Sequence, residues 1–283
     1  MRILSLDIGG TKLKYGVFEA EEGKRISEPI YIREIDSRAK AGAEELLKVV
    51  FGLCDGEKFD IIAVSTAGMV AEDGSICYAN KNIPNYTGVK LRQILEDRYG
   101  VKVFVLNDIA AGAIAETTDE NKNFYYLSLG TGVGGVMVEN GVPKIGTHGI
   151  AGQIGYLKSL KNNGIIDCKA SVSALNFLGE KDAKTLFEEA ERGSETSREI
   201  IAAWADEVMN VISLIVGFYD PEIIVIGGGV SRQKEKLIEY LNAEKEILPF
   251  PYRDKFELKT AAMSGNSGVY GVAEYARKSY CGH

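Results

Sequence analysis

The sequence predicts an α/β protein built from two related domains, each a mixed sheet flanked by helices. Three observations predict it. Short apolar runs alternate with amphipathic stretches of helical period. The stretch "LSLDIGGTKL" from Leu4 returns as "LSLGTGVGGV" from Leu127, about 120 residues later. That period is too long for a solenoid repeat and suits a duplicated domain. The length, 283 residues, carries two domains of ordinary size.

The elements follow in order. "RILSLDI" reads as a buried strand and "KLKYGVFEA" as a second, with Leu13, Tyr15 and Val17 on one face. "GKRISEPIYIREI" continues the meander, and "AGAEELLKVVFGLC" has helical period. "FDIIAVSTAG" is nearly all apolar, as a strand covered on both faces is. "GVKLRQILEDRYG" is an amphipathic helix closed by Gly100, and "VKVFVLND" is another buried strand. The order then restarts with strand, glycine turn and strand in "NFYYLSLGTGVGGVMVENGVPKI". A helix, "SREIIAAWADEVMNVISLIVGFYD", and a strand with a third glycine loop, "EIIVIGGGVS", complete the second half. The domain boundary falls between Asn107 and Ala113.

Composition excludes several classes. A net charge of -7, without a dense Lys/Arg run, argues against nucleic acid and anionic membrane as partners. "KSLKNNG" reads as a solvated loop. Cys54, Cys77, Cys168 and Cys281 show no CxxC spacing, which fits free thiols in a reducing compartment. The first residues enter a strand directly, and no apolar run approaches the ~20 residues of a membrane span. The expectation is a cytoplasmic protein.

Glycine turns at strand ends present backbone N–H groups with no Cβ in the way, which is what a nucleotide phosphate tail requires. Asp7 in the first turn adds a carboxylate able to hold Mg²⁺ through water. Thr131 in the second adds a hydroxyl. Lys12 adds a charge near the phosphates or, by strand alternation, points to solvent. Such turns also join hairpins that bind nothing, but two copies in one chain favour function. Neither copy is a GxxxxGK[ST] loop, and "GTGVGG" leads into a strand, unlike a dinucleotide fingerprint. In "IVIGGGVS" the glycines make either a tight strand-to-helix turn or a close approach to the adenine-ribose end of a nucleotide.

"LDIGGTK", "LND" followed by "IAAGAIAE", "LGTGVGGV", "HGIAGQIGY" and "IVIGGGVS" occur in that order. Over essentially the whole chain this resembles the ROK family of sugar kinases and sugar-responsive repressors. That family belongs to the sugar kinase/actin/Hsp70 ATPase superfamily. The resemblance implies two ribonuclease-H-like (actin-like ATPase) domains with a cleft between them. The first spans residues 1–108 and is completed by a C-terminal helix within 267–283; the second spans 109–266. Repressor members carry a DNA-binding domain before the DxGGT motif, which here starts at Asp7, so the expectation is a kinase.

The resemblance further implies ATP as co-substrate, Mg²⁺ at Asp7, and transfer of the γ-phosphoryl group to a hexose hydroxyl, usually O6. Asp108 matches the family's catalytic base; its other reading is an N-cap for the helix that follows. With only His148 and His283 in the chain, an acid is the more plausible base. Gly68, Asn82, Asn107, Asp108, Gln153 and Tyr156 are the expected sugar contacts; "YANKNIPNYTGVKL" around Asn82 also reads as an ordinary loop. Asp7, Gly9, Gly10, Thr11, Lys12, Gly130, Thr131, Gly132, Gly227, Gly228 and Gly229 are the expected nucleotide contacts. A homodimer is expected.

Two positions depart from the family pattern. Where members have GExGH followed by a zinc-binding cysteine cluster, this chain reads "GQIGY" with only Cys168 downstream. A structural zinc needs about four ligands, so none is expected. Gln153 keeps one acceptor and adds two donors in place of a carboxylate, which favours a hexose substituted at C1 or C2. The sugars left open are glucose, fructose, N-acetylmannosamine, N-acetylglucosamine and a β-glucoside. The alternatives are a catalytically weak sugar sensor of the same fold and an actin- or chaperone-like ATPase.

Overall fold

A computed structural model of the chain describes residues 1–159, 161, 164–248, 252–263 and 265–281. Leu160, Asn162 and Asn163 of the predicted loop, and Gly282 and His283 at the predicted C-terminal helix, lie outside them. The chain forms two compact units.

The first unit comprises Met1–Glu116, Ile145–Ile150 and the chain from Asn266 on. Its strands are β1 (Arg2–Ile8), β2 (Lys12–Glu19), β3 (Tyr31–Asp36), β4 (Ile61–Thr66), a small hairpin β5 (Met69–Val70) and β6 (Ile76–Tyr78), and β7 (Lys102–Asn107). Its helices are α1 (Ala43–Cys54), α2 (Leu91–Tyr99), α3 (Asp108–Glu116) and, at the C-terminal end, α9 (Ser267–Cys281). The main sheet runs β3-β2-β1-β4-β7. The first three strands are antiparallel meander neighbours, and β1, β4 and β7 are parallel.

Strand alternation divides this sheet between two cores. Leu4, Leu6, Ile8, Leu13, Tyr15, Val17, Ile62 and Val64 pack with Leu46 and Val50 of α1 and Leu91 and Leu95 of α2. Ile3, Phe18, Ile61, Ala63 and Leu106 face the other way, onto small residues of α3 and α9 such as Ala110, Ala111, Val269 and Ala273. Those small residues let the two helices approach closely. A Cβ at Gly271 would collide with the carbonyl oxygen of Ala111. The sequence reading ended the first domain at Asp108. By its contacts α3 sits with the first unit, because its apolar face is covered by α9.

The second unit comprises Thr117–Lys144 and Ala151–Gly265. Its strands are β8 (Phe124–Leu129), β9 (Val133–Glu139), β10 (Val142–Pro143), β11 (Ile223–Gly227) and β12 (Glu257–Thr260). Its sheet runs β10-β9-β8-β11-β12, again two antiparallel pairings followed by two parallel ones. The two sheets therefore share one topology, and each glycine turn joins the first two strands of its own sheet. The helices are α4 (Asp167–Ala170), α5 (Val172–Gly179), α6 (Ala183–Glu191), α7 (Glu195–Tyr219) and α8 (Glu235–Ala243). Ser171, Asp182 and Ser194 cap α5, α6 and α7 by accepting a backbone N–H.

Among the described residues α7 is long and apolar enough to cross a bilayer by length and composition, contrary to the sequence expectation. Its apolar face is the core of the unit instead. Ile201, Trp204, Val208, Ile212 and Ile215 are buried, and the Trp204 indole donates to the carbonyls of Ala170 and Ser171 at 3.0 Å.

Gly271→Ala is expected to destabilise the protein by about 1–3 kcal/mol, since a backbone carbonyl cannot yield as a side chain can. Gly52→Ala, in α1 with open space around the new Cβ, is expected to be neutral or stabilising by up to about 1 kcal/mol. Urea denaturation of the pair measures both.

Candidate active site

The first unit gathers its candidate residues at the C-terminal ends of β1, β4 and β7. Asp7 lies in register with Ser65 on β4 and Lys14 on β2. All three project to the α9 face, as directly opposed residues must. Ser65 Oγ donates to Asp7 Oδ1 at 2.7 Å. The carboxylate lies against Gly268 in the first turn of α9, where any Cβ would strike it. Burial raises the Asp7 pKa above the ordinary carboxylate value, and the Ser65 hydrogen bond and the Lys14 charge offset part of that rise.

The turn beyond Asp7 is closed by Gly9 N–H donating to the Lys12 carbonyl at 2.9 Å. A Cβ on Gly10 would stand 3.3 Å from Cβ of Asn82, so the turn and the predicted sugar loop touch. That loop is anchored by buried Ile83 and Tyr86, and the Tyr86 hydroxyl meets Thr66 Oγ1 at 3.0 Å. Asn82 itself is exposed, as is Thr11. Lys12 does not enter the turn: its amine is exposed and lies 3.6 Å from Glu34 on β3. Lys12 and Lys14 share one face of β2 and both reach Glu34, Lys14 at 3.8 Å, and the register makes Lys14 the lysine opposite Asp7.

Asp108 opens α3. The cap of that helix is Asn107, whose Oδ1 accepts from the N–H groups of Ile109 and Ala110 at 2.9 and 3.3 Å. Asn107 Nδ2 donates to the Gly68 carbonyl at 2.8 Å and to Asp108 Oδ1 at 2.9 Å. The Asn107 amide is thus engaged on both its donors and its acceptor. Asp108 Oδ1 also accepts from Ile109 N–H. Gly68 has φ 105, and a Cβ there would meet the Tyr78 carbonyl, so its backbone is held where only glycine fits.

Water reaches the Asp108 side chain, yet protein atoms crowd it on its other sides. That crowding pushes its pKa up to about 7; the neighbouring Asp7 carboxylate adds to the rise, and the Ile109 and Asn107 hydrogen bonds oppose it. Two carboxyls at one sheet edge therefore resist ionising together.

In the second unit one side chain organises the glycine turn. Asp167 Oδ1 accepts from Val133 N–H at 2.7 Å. Its carboxylate occupies space that a Cβ on Gly132 or Gly155 would need. Gly130 N–H donates to the Gly132 carbonyl at 3.0 Å, and Val172 N–H donates to the Gly130 carbonyl at 2.9 Å. Thr131 is exposed at the tip. Gly135 N–H donates to the Gly152 carbonyl at 2.8 Å, which pins the segment carrying Gln153 against β9. Gln153 is half-buried, and Tyr156, one turn on, is 44% exposed. In the third loop Gly227 lies against the Tyr126 ring, Gly228 against the Leu129 carbonyl, and Gly229 has open space around it.

Sequence reading missed four of these residues: Ser65, Lys14, Asp167 and Gly268. Ser65 carried a signal, a hydroxyl inside an otherwise apolar buried strand. Asp167 carried a weaker one, a lone acid between "GII" and "CKAS". Gly268 shows its reason only once α9 is docked.

The ROK family sequence profile matches residues 3–279. The chain belongs to the ROK family. It is 28% identical to an N-acetylmannosamine kinase of Haemophilus influenzae strain PittEE, over 98% of this chain and 96% of that one. It is 24% identical to a glucokinase of Thermotoga maritima, over 98% of each. A crystal structure of a ROK family glucokinase from Streptomyces griseus, in complex with glucose and AMPPNP, superposes with a TM-score of 0.83. That alignment has 21% identity and covers 98% of this chain and all of the other. The fold is thus the actin-like ATPase fold of ROK kinases.

The raised pKa of Asp108 has a consequence for stability. The folded protein holds this proton up to about pH 7, whereas the free carboxyl loses it near 3.8. Between those values the folded state binds more protons, so this group's contribution to stability falls as pH rises. Asp108→Asn removes that dependence. Its Tm relative to wild type is expected to be higher at pH 8 than at pH 5, as measured by scanning calorimetry.

Proposed function

We propose that the protein is an ATP-dependent sugar kinase that transfers the γ-phosphoryl group to a hexose hydroxyl, O6, with Asp108 as general base. The observation that carries this reading is the Asp108 carboxyl, fixed by Asn107 and the Ile109 N–H at the end of a parallel strand near Asp7; the upward push on its pKa agrees with it. A base poised near the working pH can take a hydroxyl proton in the transition state. The proton passes to Asp108 as the sugar oxygen bonds to phosphorus and the bond to the ADP oxygen breaks. Asn107, its amide fully engaged, acts by holding Asp108 and the Gly68 carbonyl; Gly68 and Asn82, with Gln153 and Tyr156, take the sugar hydroxyls.

The glycine turns at Gly9–Thr11 and Gly130–Gly132 supply backbone N–H groups for the phosphates, and Gly227–Gly229 accommodate the adenosine. Lys12, facing Glu34, contributes charge at a distance. Mg²⁺ keeps several waters and takes one or two carboxylates besides substrate phosphates. Asp7, held by Ser65, fits that demand as the residue that would hold it, where it would neutralise charge on the nucleotide. Among the described residues no cluster of three His, Cys, Asp or Glu side chains forms a metal cage, and our reading includes no structural zinc. It also places the protein in the cytoplasm as a homodimer.

The acceptor we propose is a C1- or C2-substituted hexose, foremost an N-acylated amino sugar. Gln153 supports this, since its two donors suit a carbonyl or glycosidic oxygen where a carboxylate would require sugar hydroxyl donors. The 28% identity to an N-acetylmannosamine kinase is in keeping with it.

A coupled ADP-release assay over a hexose panel tests the reading. Turnover of an N-acylhexosamine at least comparable to that of glucose is expected. Asp108→Asn is expected to lower kcat by about 10²-fold or more with sugar binding retained. Near-normal turnover by that variant would remove Asp108 as base.

A further inference from the structure

The first unit holds a cavity that none of these roles uses. It measures about 360 Å³ and lies among the turn after β5, β7, the segment 145–149 and α9. That lies within the roughly 300–1,000 Å³ of small-molecule sites. Val70, Val105 and Leu106 give it apolar wall, while Arg92 and Glu72 give it charge and hydrogen-bonding capacity.

Arg92 is held as a ligand-reading guanidinium would be. Its side chain packs on Gly74, which has φ 76 and leaves no room for a Cβ. Its Nε is buried with no hydrogen-bond partner. Among the described residues no carboxylate lies within 4.0 Å of the guanidinium, although the Asp73 carboxylate, in the turn that carries Gly74, is near enough to feel its charge. Glu72 lines the same chamber, is exposed, and is not paired with it. A guanidinium and a carboxylate that share a chamber without pairing suit a ligand bearing both an anionic group and hydroxyls. Guanidinium matches phosphate oxygens through parallel N–H donors, and a carboxylate accepts from sugar hydroxyls.

We propose that this cavity is a second binding site for a sugar phosphate, with Arg92 on the phosphate and Glu72 on the hydroxyls. Asn107 forms part of its wall and also holds Asp108 and the Gly68 carbonyl. A ligand here therefore bears on the residue that fixes the base, and it inhibits turnover without competing with the acceptor sugar. The inhibitory part rests on the kinase reading; the binding part does not.

Calorimetric titration of the resting protein with glucose 6-phosphate and N-acetylmannosamine 6-phosphate tests it, with and without ADP and the unphosphorylated sugars. At least one hexose phosphate is expected to bind in the presence of ADP and sugar. Its affinity is expected to fall about tenfold or more in Arg92→Leu, and to fall again in Ala71→Phe, a bulky side chain at another lining position of the chamber. Both variants are expected to keep wild-type kcat when no hexose phosphate is added. Arg92→Lys, which keeps the charge without the fork, serves should Arg92→Leu not fold, and is expected to bind more weakly than wild type. Displacement by the unphosphorylated sugar, equal binding of inorganic phosphate, or unchanged affinity in the Arg92 variants would overturn the proposal. Absence of turnover with every sugar would sink the kinase reading alone, because the titration reads binding directly.

Discussion

Two carboxyls, Asp7 and Asp108, sit at the C-terminal ends of strands in one sheet, and the charge of Asp7 makes Asp108 harder to ionise. Much of the first unit can be understood as the scaffold that tolerates this arrangement. Ser65 donates to one acid, Asn107 and the Ile109 amide donate to the other, and Lys14 faces Asp7 across the antiparallel ladder. Close quarters demand small neighbours. Gly268 must lack a side chain for α9 to start beside Asp7, and Gly271 must lack one for α9 to reach α3. Left without these partners, two desolvated acids would be a liability. Held by them, Asp108 has its pKa pushed up to about 7, as the base we propose would require.

The duplicated topology separates the labour. Both units carry the same strand order and the same glycine turn after the first strand. Only the first keeps an acid at that strand end. In the second, the corresponding turn is stabilised from outside by Asp167, whose carboxylate fills the space left by Gly132 and Gly155. In the function we propose, one copy supplies chemistry and the other backbone donors; the segment bearing Gln153 is tied to the second through the Gly152 carbonyl.

Most strands and both glycine turns were legible in the sequence, because period-two burial and repeated motifs are local signals. The shared register of Leu13, Tyr15 and Val17 on the α1 face follows directly from that period. What local pattern left out depends on tertiary contact. Lys12 was a natural candidate beside the turn, but the register of β1 and β2 sets Lys14, two residues on along the same face, opposite Asp7. Asp108 looked like a helix cap, whereas the preceding Asn107 does the capping and thereby fixes Asp108. The long apolar stretch of α7 reads the same whether a membrane or a protein core covers it. Only the packing around Trp204 distinguishes the two. The helices α5 and α6 were missed because the stretch before α7 was read only for its absent metal ligands.

The central claim is that Asp108 is a base whose pKa is set by crowding and by Asp7. A ¹³C-carboxyl NMR titration of aspartate-labelled protein, with the Asp108 resonance assigned by its loss in Asp108→Asn, measures this without relying on turnover. The account predicts a midpoint near 7 in the wild type and a lower midpoint in Asp7→Asn. A wild-type midpoint in the ordinary carboxylate range near 4, or one indifferent to Asp7→Asn, would contradict it.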